Sequence, residues 1–117
     1  MSIKLRKMIE RQIAEKLVDT ILKTGESISI KNDHDEESLW LKDSRDKDTI
    51  MRALFSSSED ILFFHIINHD GTRVKAWVWL IYGNDGIDVI HDHTVNAMDI
   101  VRPAEELSDK LEAEWYP

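Results

Sequence analysis

The first segment of the chain shows a hydrophobic period close to that of a helix. Apolar residues occupy positions 9, 13, 17 and 21, and mostly charged residues lie between them. Gly25 follows the last apolar turn, at the place where a residue in the left-handed conformation commonly ends a helix. The pattern therefore predicts an amphipathic helix over residues 3–24.

The next segment changes its period from helical to alternating. Polar and apolar residues alternate at 27–30 and again at 38–42, which predicts two half-buried strands. The acidic run 32–37 lies between them and predicts the loop of a hairpin. Apolar residues at helical spacing then predict a short helix over 45–56.

Residues 61–92 predict three further strands joined by two tight turns. The turns fall at Asp70–Gly71 and at Asn84–Asp85, because these residues tolerate the positive φ of a type I′ hairpin. With Asp70–Gly71 at the tip, Phe64 pairs with Trp77. The other predicted pairs are Phe63 with Val78, His65 with Ala76, Trp79 with Ile90, Leu80 with Val89, and Val78 with His91.

This register places apolar side chains on both faces of the sheet. A slip of one residue in either turn would exchange the two faces, so the assignment depends on the turns. The short chain can cover one face with its own helices, and the other face then needs a partner or a cover. The face of Trp77 is expected to carry Leu62, Phe64, Ile66, Trp79, Ile81 and Ile90.

The end of the chain completes the predicted fold. Residues 94–101 fit either a further strand or an ordered loop, and Pro103 suits the first turn of a last helix. The elements then follow the order αββαβββα. We expect residues 1–117 to form a single α+β domain, an antiparallel β-meander of three to five strands flanked by helices.

Charge and composition limit the classes of function. The net charge is −8, but residues 1–24 carry six Lys and Arg against three Asp and Glu, so the rest of the chain is strongly acidic. Such a body repels phosphate backbones and argues against direct nucleic-acid binding. The chain has no cysteine, no signal-peptide pattern and no apolar run that could span a membrane. These features predict a cytoplasmic protein.

The run AWVWLIYGNDGIDVI at 76–90, followed by Thr94-Val95-Asn96, resembles small proteins of tailed phages and bacterial prophages. The sequence RQIAEKLVD at 11–19 fits the same resemblance. No function is assigned to that family. The resemblance therefore implies a phage or prophage setting in the bacterial cytoplasm, and it implies no mechanism and no cofactor.

Three histidines form the main candidate for metal chemistry. His91 and His93 are two residues apart and would share one face of a strand, and the predicted register places His65 on the same face as His91. A zinc or manganese site built from them would predict a small metal-dependent hydrolase. No HExxH spacing supports it, however, and the apolar surroundings favour histidines that are simply hydrogen-bonded at strand ends.

The aromatic sheet face is the main candidate for partner binding, through Phe64, Trp77, Trp79 and Ile90. Exposed apolar patches often mark interaction sites, and Trp is enriched among the residues that dominate binding energy. We therefore favour a non-enzymatic interaction domain that binds a bacterial protein or forms a homodimer. A helix covering this face is the structural alternative. The functional alternatives are the metal-dependent hydrolase and an acidic mimic of nucleic acid.

Overall fold

The structure, a computed structural model, describes residues 2–31, 40–83 and 87–115. The predicted acidic loop 32–37 and the Asn84–Asp85 turn lie outside these residues. The helices are α1 (Ile3–Lys23), α2 (Lys47–Ala53) and α3 (Met98–Trp115). The strands are β1 (Ile28–Lys31), β2 (Leu41–Ser44), β3 (Glu59–Ile67), β4 (Arg73–Ile81) and β5 (Ile90–His93). This order confirms the predicted α+β class and the succession αββαβββα.

The strands form one antiparallel sheet in the order β2-β1-β3-β4-β5. Buried side chains of α1, α2 and α3 form a single core with one face of this sheet. The sheet contributes to that core through Ile28, Ile30, Leu62, Phe64, Ala76, Val78 and Leu80. All three described helices therefore pack on the same side of the sheet, which we call the covered face.

The prediction for α1 is confirmed to within one residue. Ser2 caps the helix, since its side-chain oxygen accepts a hydrogen bond from the backbone N–H of Leu5 at 3.1 Å. Gly25 takes a φ of 93° just beyond the other end, a conformation that glycine adopts without strain. None of the helices in the described part of the chain is both long and apolar enough to cross a membrane.

The predicted register of the β3–β4 hairpin is wrong by one residue. Phe63, not Phe64, pairs with Trp77, Phe64 pairs with Ala76, and His65 pairs with Lys75. The loop has three residues between Asn68 and Thr72, because the N–H of Asn68 donates to the Thr72 carbonyl at 2.8 Å. Gly71 has a φ of 86° at the last loop position. This geometry is typical of a three-residue hairpin loop with a left-handed glycine.

The predicted register between β4 and β5 is also wrong. Trp79 pairs with Asp92, and an irregularity in β5 then brings Ile90 opposite Leu80. Ile90 consequently points to the covered face and packs against the helical core. An extra residue in one strand shifts every later side chain to the opposite face, and the sequence pattern alone does not show it.

The last helix begins earlier than predicted. A short 3₁₀ helix (Val95–Ala97) leads directly into α3, so Pro103 lies inside the helix rather than in its first turn. Proline has no N–H to donate within the helix and is costly there. The burial of Ala97, Val101 and Ala104 in the core offsets this cost. Residues 94–101 are therefore mainly helical, and they form neither a strand nor a loop.

Candidate functional site

The sheet face opposite the helices carries an apolar centre. We call it the open face, because none of the helices in the described residues packs on it. Phe63 lies opposite Trp77, and Ile61 lies opposite Trp79. Ile81 continues the same face at the end of β4. The open-face centre comprises Ile61, Phe63, Trp77, Trp79 and Ile81.

These side chains are partly shielded by one another. Ile61 is only 4% exposed, although it lies outside the helical core. It lines a small groove of about 280 Å³ with Lys31, Phe63 and Trp77. The outward side of an antiparallel sheet is normally polar when it faces water. The open face therefore departs from this rule, because its outward positions at the centre of β3 and β4 are apolar.

A row across four strands joins this centre to two opposite charges. Lys31 on β1 pairs with Ile61 on β3, and Ile61 pairs with Trp79 on β4. Trp79 in turn pairs with Asp92 on β5. Directly paired residues lie on the same face of a sheet. The row thus has a cation at one end, a carboxylate at the other, and apolar side chains between them.

The β1 side of the open face is basic. Lys31, Lys42, His65 and Lys75 line a depression of about 400 Å³ together with one acidic residue, Asp43. The ammonium group of Lys75 lies 5.2 Å from the centre of the Phe63 ring, a distance at which a cation and an aromatic face attract. The basic groups therefore border the aromatic centre directly.

An ion pair closes the hairpin end of the open face. Arg73 donates to the Glu26 carboxylate at 2.8 Å, and the Glu26 side chain is only 11% exposed. The hydrogen bond and charge of Arg73 hold the pKa of Glu26 below its ordinary value. Glu26 therefore remains ionised on mild acidification and fixes the position of Arg73.

The structure changes the predicted contact residues. Trp77 and Trp79 lie on the open face and are half-buried. Phe64 does not lie there, because it is 2% exposed within the helical core, and Ile90 also faces the helices. Phe63 and Ile61 lie on the open face instead. The sequence signal for them is Gly71, the third of the three loop residues 69–71 between Asn68 and Thr72.

The three histidines do not come together. His65 pairs with Lys75 on β4, whereas the His91 ring contacts Trp79 on the same strand. Lys75 and Trp79 are four residues apart, or about 13 Å along the strand, so His65 and His91 are held at separate places on the sheet. His93 pairs with Val78 on the other face, and its Nδ1 lies 2.8 Å from the Thr94 carbonyl oxygen. Within the described residues, no three metal-ligating side chains are grouped. The geometry gives no support to a three-histidine metal site.

A second concave site lies on the helix side of the sheet, where α1 meets the beginning of β3 and the end of β4. It is a cleft of about 590 Å³. One wall is basic, and the other is formed by an aromatic pair and two serines. Its lining residues are Ile3, Arg6, Lys7, Glu10, Arg11, Phe55, Ser57, Ser58, Tyr82 and Gly83.

Two buried carboxylates hold the walls of this cleft. Asp60 is fully buried and accepts hydrogen bonds from the Phe55 N–H at 2.9 Å and from the Tyr82 hydroxyl at 2.6 Å. Glu10 is 4% exposed, and its carboxylate accepts a hydrogen bond from the Gly83 N–H at 2.7 Å. Burial and the adjacent Asp60 charge raise the pKa of Tyr82. The tyrosine therefore remains protonated and serves as a structural donor.

Comparison of the chain with protein-family models, with curated proteins and with solved structures gave no match.

Proposed function

We propose that this protein is a non-enzymatic interaction domain that forms a homodimer through its open face. The observation that carries the proposal is the apolar centre around Phe63 and Trp77 on the side that the described helices leave uncovered. Burying such a centre against another protein surface removes aromatic area from water, which is the main source of association energy.

The row from Lys31 to Asp92 favours a second copy of this chain as the partner. A twofold axis parallel to the strands, placed between Ile61 and Trp79, would lay each copy's Lys31 over the other copy's Asp92. The apolar residues of the two rows would then meet in the middle. Self-complementarity of charge and apolar surface is what a symmetric interface requires.

The phage or prophage setting is proposed on the sequence resemblance alone. In that setting the dimer would act in the bacterial cytoplasm. A bacterial protein occupying the open face is the competing partner, and the dimer test below separates the two.

The test is the molar mass in solution, measured by light scattering after size exclusion, for wild type and for Trp77→Asp. We expect a wild-type dimer and a folded monomeric variant, because a carboxylate in the apolar centre would be buried without a partner. Trp115→Asp is the matched control. Trp115 is 48% exposed on α3, away from the open face, and its replacement should leave the dimer intact.

Circular dichroism of each variant shows whether it is folded. A wild-type monomer up to the highest soluble concentration would contradict self-association. A folded Trp77→Asp variant that stays dimeric would place the interface elsewhere and would also contradict the proposal. If Trp77→Asp unfolds, Phe63→Lys provides the same test on the opposite strand.

A further inference from the structure

We propose that the cleft between α1 and the ends of β3 and β4 binds a small anionic molecule with a planar apolar body. The inference is independent of the dimer, because the cleft lies on the helix side of the sheet. Its volume of about 590 Å³ falls within the range of about 300–1,000 Å³ that is usual for small-molecule sites.

Positive charge on α1 defines the ligand's polar end. Arg6, Lys7 and Arg11 all line the cleft, whereas the protein as a whole carries a charge of −8. Glu10 is the acidic group among them, and its carboxylate accepts a hydrogen bond from the Gly83 N–H, so three basic side chains and one acidic side chain of α1 line the cleft. Guanidinium and ammonium groups are the usual partners of phosphate, sulfonate and carboxylate groups.

The opposite wall defines the ligand's apolar end. The rings of Phe55 and Tyr82 lie 4.3 Å apart, centre to centre, and both line the cleft. Ile3, at the start of α1, adds an aliphatic side chain to the lining of the cleft. Aromatic walls favour flat apolar groups, because stacked or tilted rings bury a large area in a defined geometry. An anionic head on a planar body therefore fits both walls at once.

The aromatic wall is fixed before any ligand arrives. Phe55 has a φ of 66°, a conformation that is rare for a bulky residue. The buried Asp60 holds it there through the Phe55 N–H, and it also accepts the Tyr82 hydroxyl. Strained backbone that is held by buried contacts is concentrated at functional sites. Such preorganisation lowers the entropy lost on binding.

The experiment is a fluorescence titration with 8-anilinonaphthalene-1-sulfonate, an aromatic anion, and with its uncharged analogue N-phenyl-1-naphthylamine. We expect saturable sulfonate binding at a stoichiometry of one per chain, weakened by salt, with the uncharged analogue binding at least about tenfold more weakly. Amide chemical shifts should change at Ser57, Ser58 and Gly83.

The test variant is Lys7→Gln/Arg11→Gln, and the control is Lys16→Gln/Lys23→Gln. Both remove two charges from exposed positions on α1, but only the first pair lines the cleft. We expect the first pair to weaken sulfonate binding by about tenfold or more and the control to change it less than about twofold. Equal effects of the two pairs would overturn the proposal. So would equal affinity for the uncharged analogue, or chemical-shift changes confined to the open face.

Discussion

The two faces of β3 carry similar side chains in different surroundings. Leu62 and Phe64 on the covered face are almost fully buried by the helices. On the open face, no helix of the described residues packs on Ile61 and Phe63; Ile61 is 4% exposed among the side chains of the sheet, and Phe63 is half-buried. Apolar side chains thus stabilise the fold on one face, and on the other they form the surface that we propose for the dimer. Adjacent residues of one strand can therefore serve different ends.

The largest expected difference between the faces is in the free energy of unfolding. Phe64→Ala should lower it by about 3–5 kcal/mol, because it leaves a cavity in the packed core. Phe63→Ala should cost about 1 kcal/mol in the monomer, since a half-buried ring gives up less apolar area. Urea unfolding at low protein concentration measures both. Equal losses would mean that the two faces are equally packed.

A smaller effect on stability is expected from the Glu26–Arg73 ion pair at the edge of the open face than from the apolar residues at its centre. Glu26 has a lowered pKa in the folded protein, so its pairing with Arg73 stabilises the fold above the ordinary Glu pKa of 4.5. That contribution is lost as the pH falls through the lower, folded-state value. Glu26→Gln should therefore be less stable than wild type at about pH 6, and the difference should shrink as the pH falls through the folded-state pKa of Glu26. Thermal unfolding across this range measures it, and a constant difference would contradict the pairing.

Most of the helices and strands could be predicted from the sequence, but the sheet face on which each strand residue lies could not. The helical period of α1 and the alternation in β3 and β4 identify the elements, because each depends on local spacing. The face of Phe64 depends on the loop, and the sequence predicts a two-residue turn at Asp70–Gly71. The actual loop of His69–Asp70–Gly71 uses the same glycine at a different position. A difference of one residue in the loop therefore exchanges the sheet faces of Phe63 and Phe64.

Tertiary contacts decided what local signals could not. Pro103 favoured a helix start, yet burial of α3 against the core carries the helix through it. The cleft also brings together residues that are far apart in the sequence, because Arg6 and Lys7 line it with Phe55 and Tyr82. The buried Asp60 and Glu10 hold its walls through hydrogen bonds. No short motif contains these residues, so sequence spacing gave no signal for it.

The most direct test of the central claim is a charge-reversal cycle on the Lys31–Asp92 row. The dimer dissociation constant would be measured by analytical ultracentrifugation for Lys31→Asp, for Asp92→Lys and for the double variant. We predict that each single reversal weakens the dimer by about tenfold, because like charges then face each other across the interface. The double variant should recover to within about threefold of wild type, since opposite charges again meet. A double variant as weak as the two single losses combined would contradict a symmetric dimer through the open face.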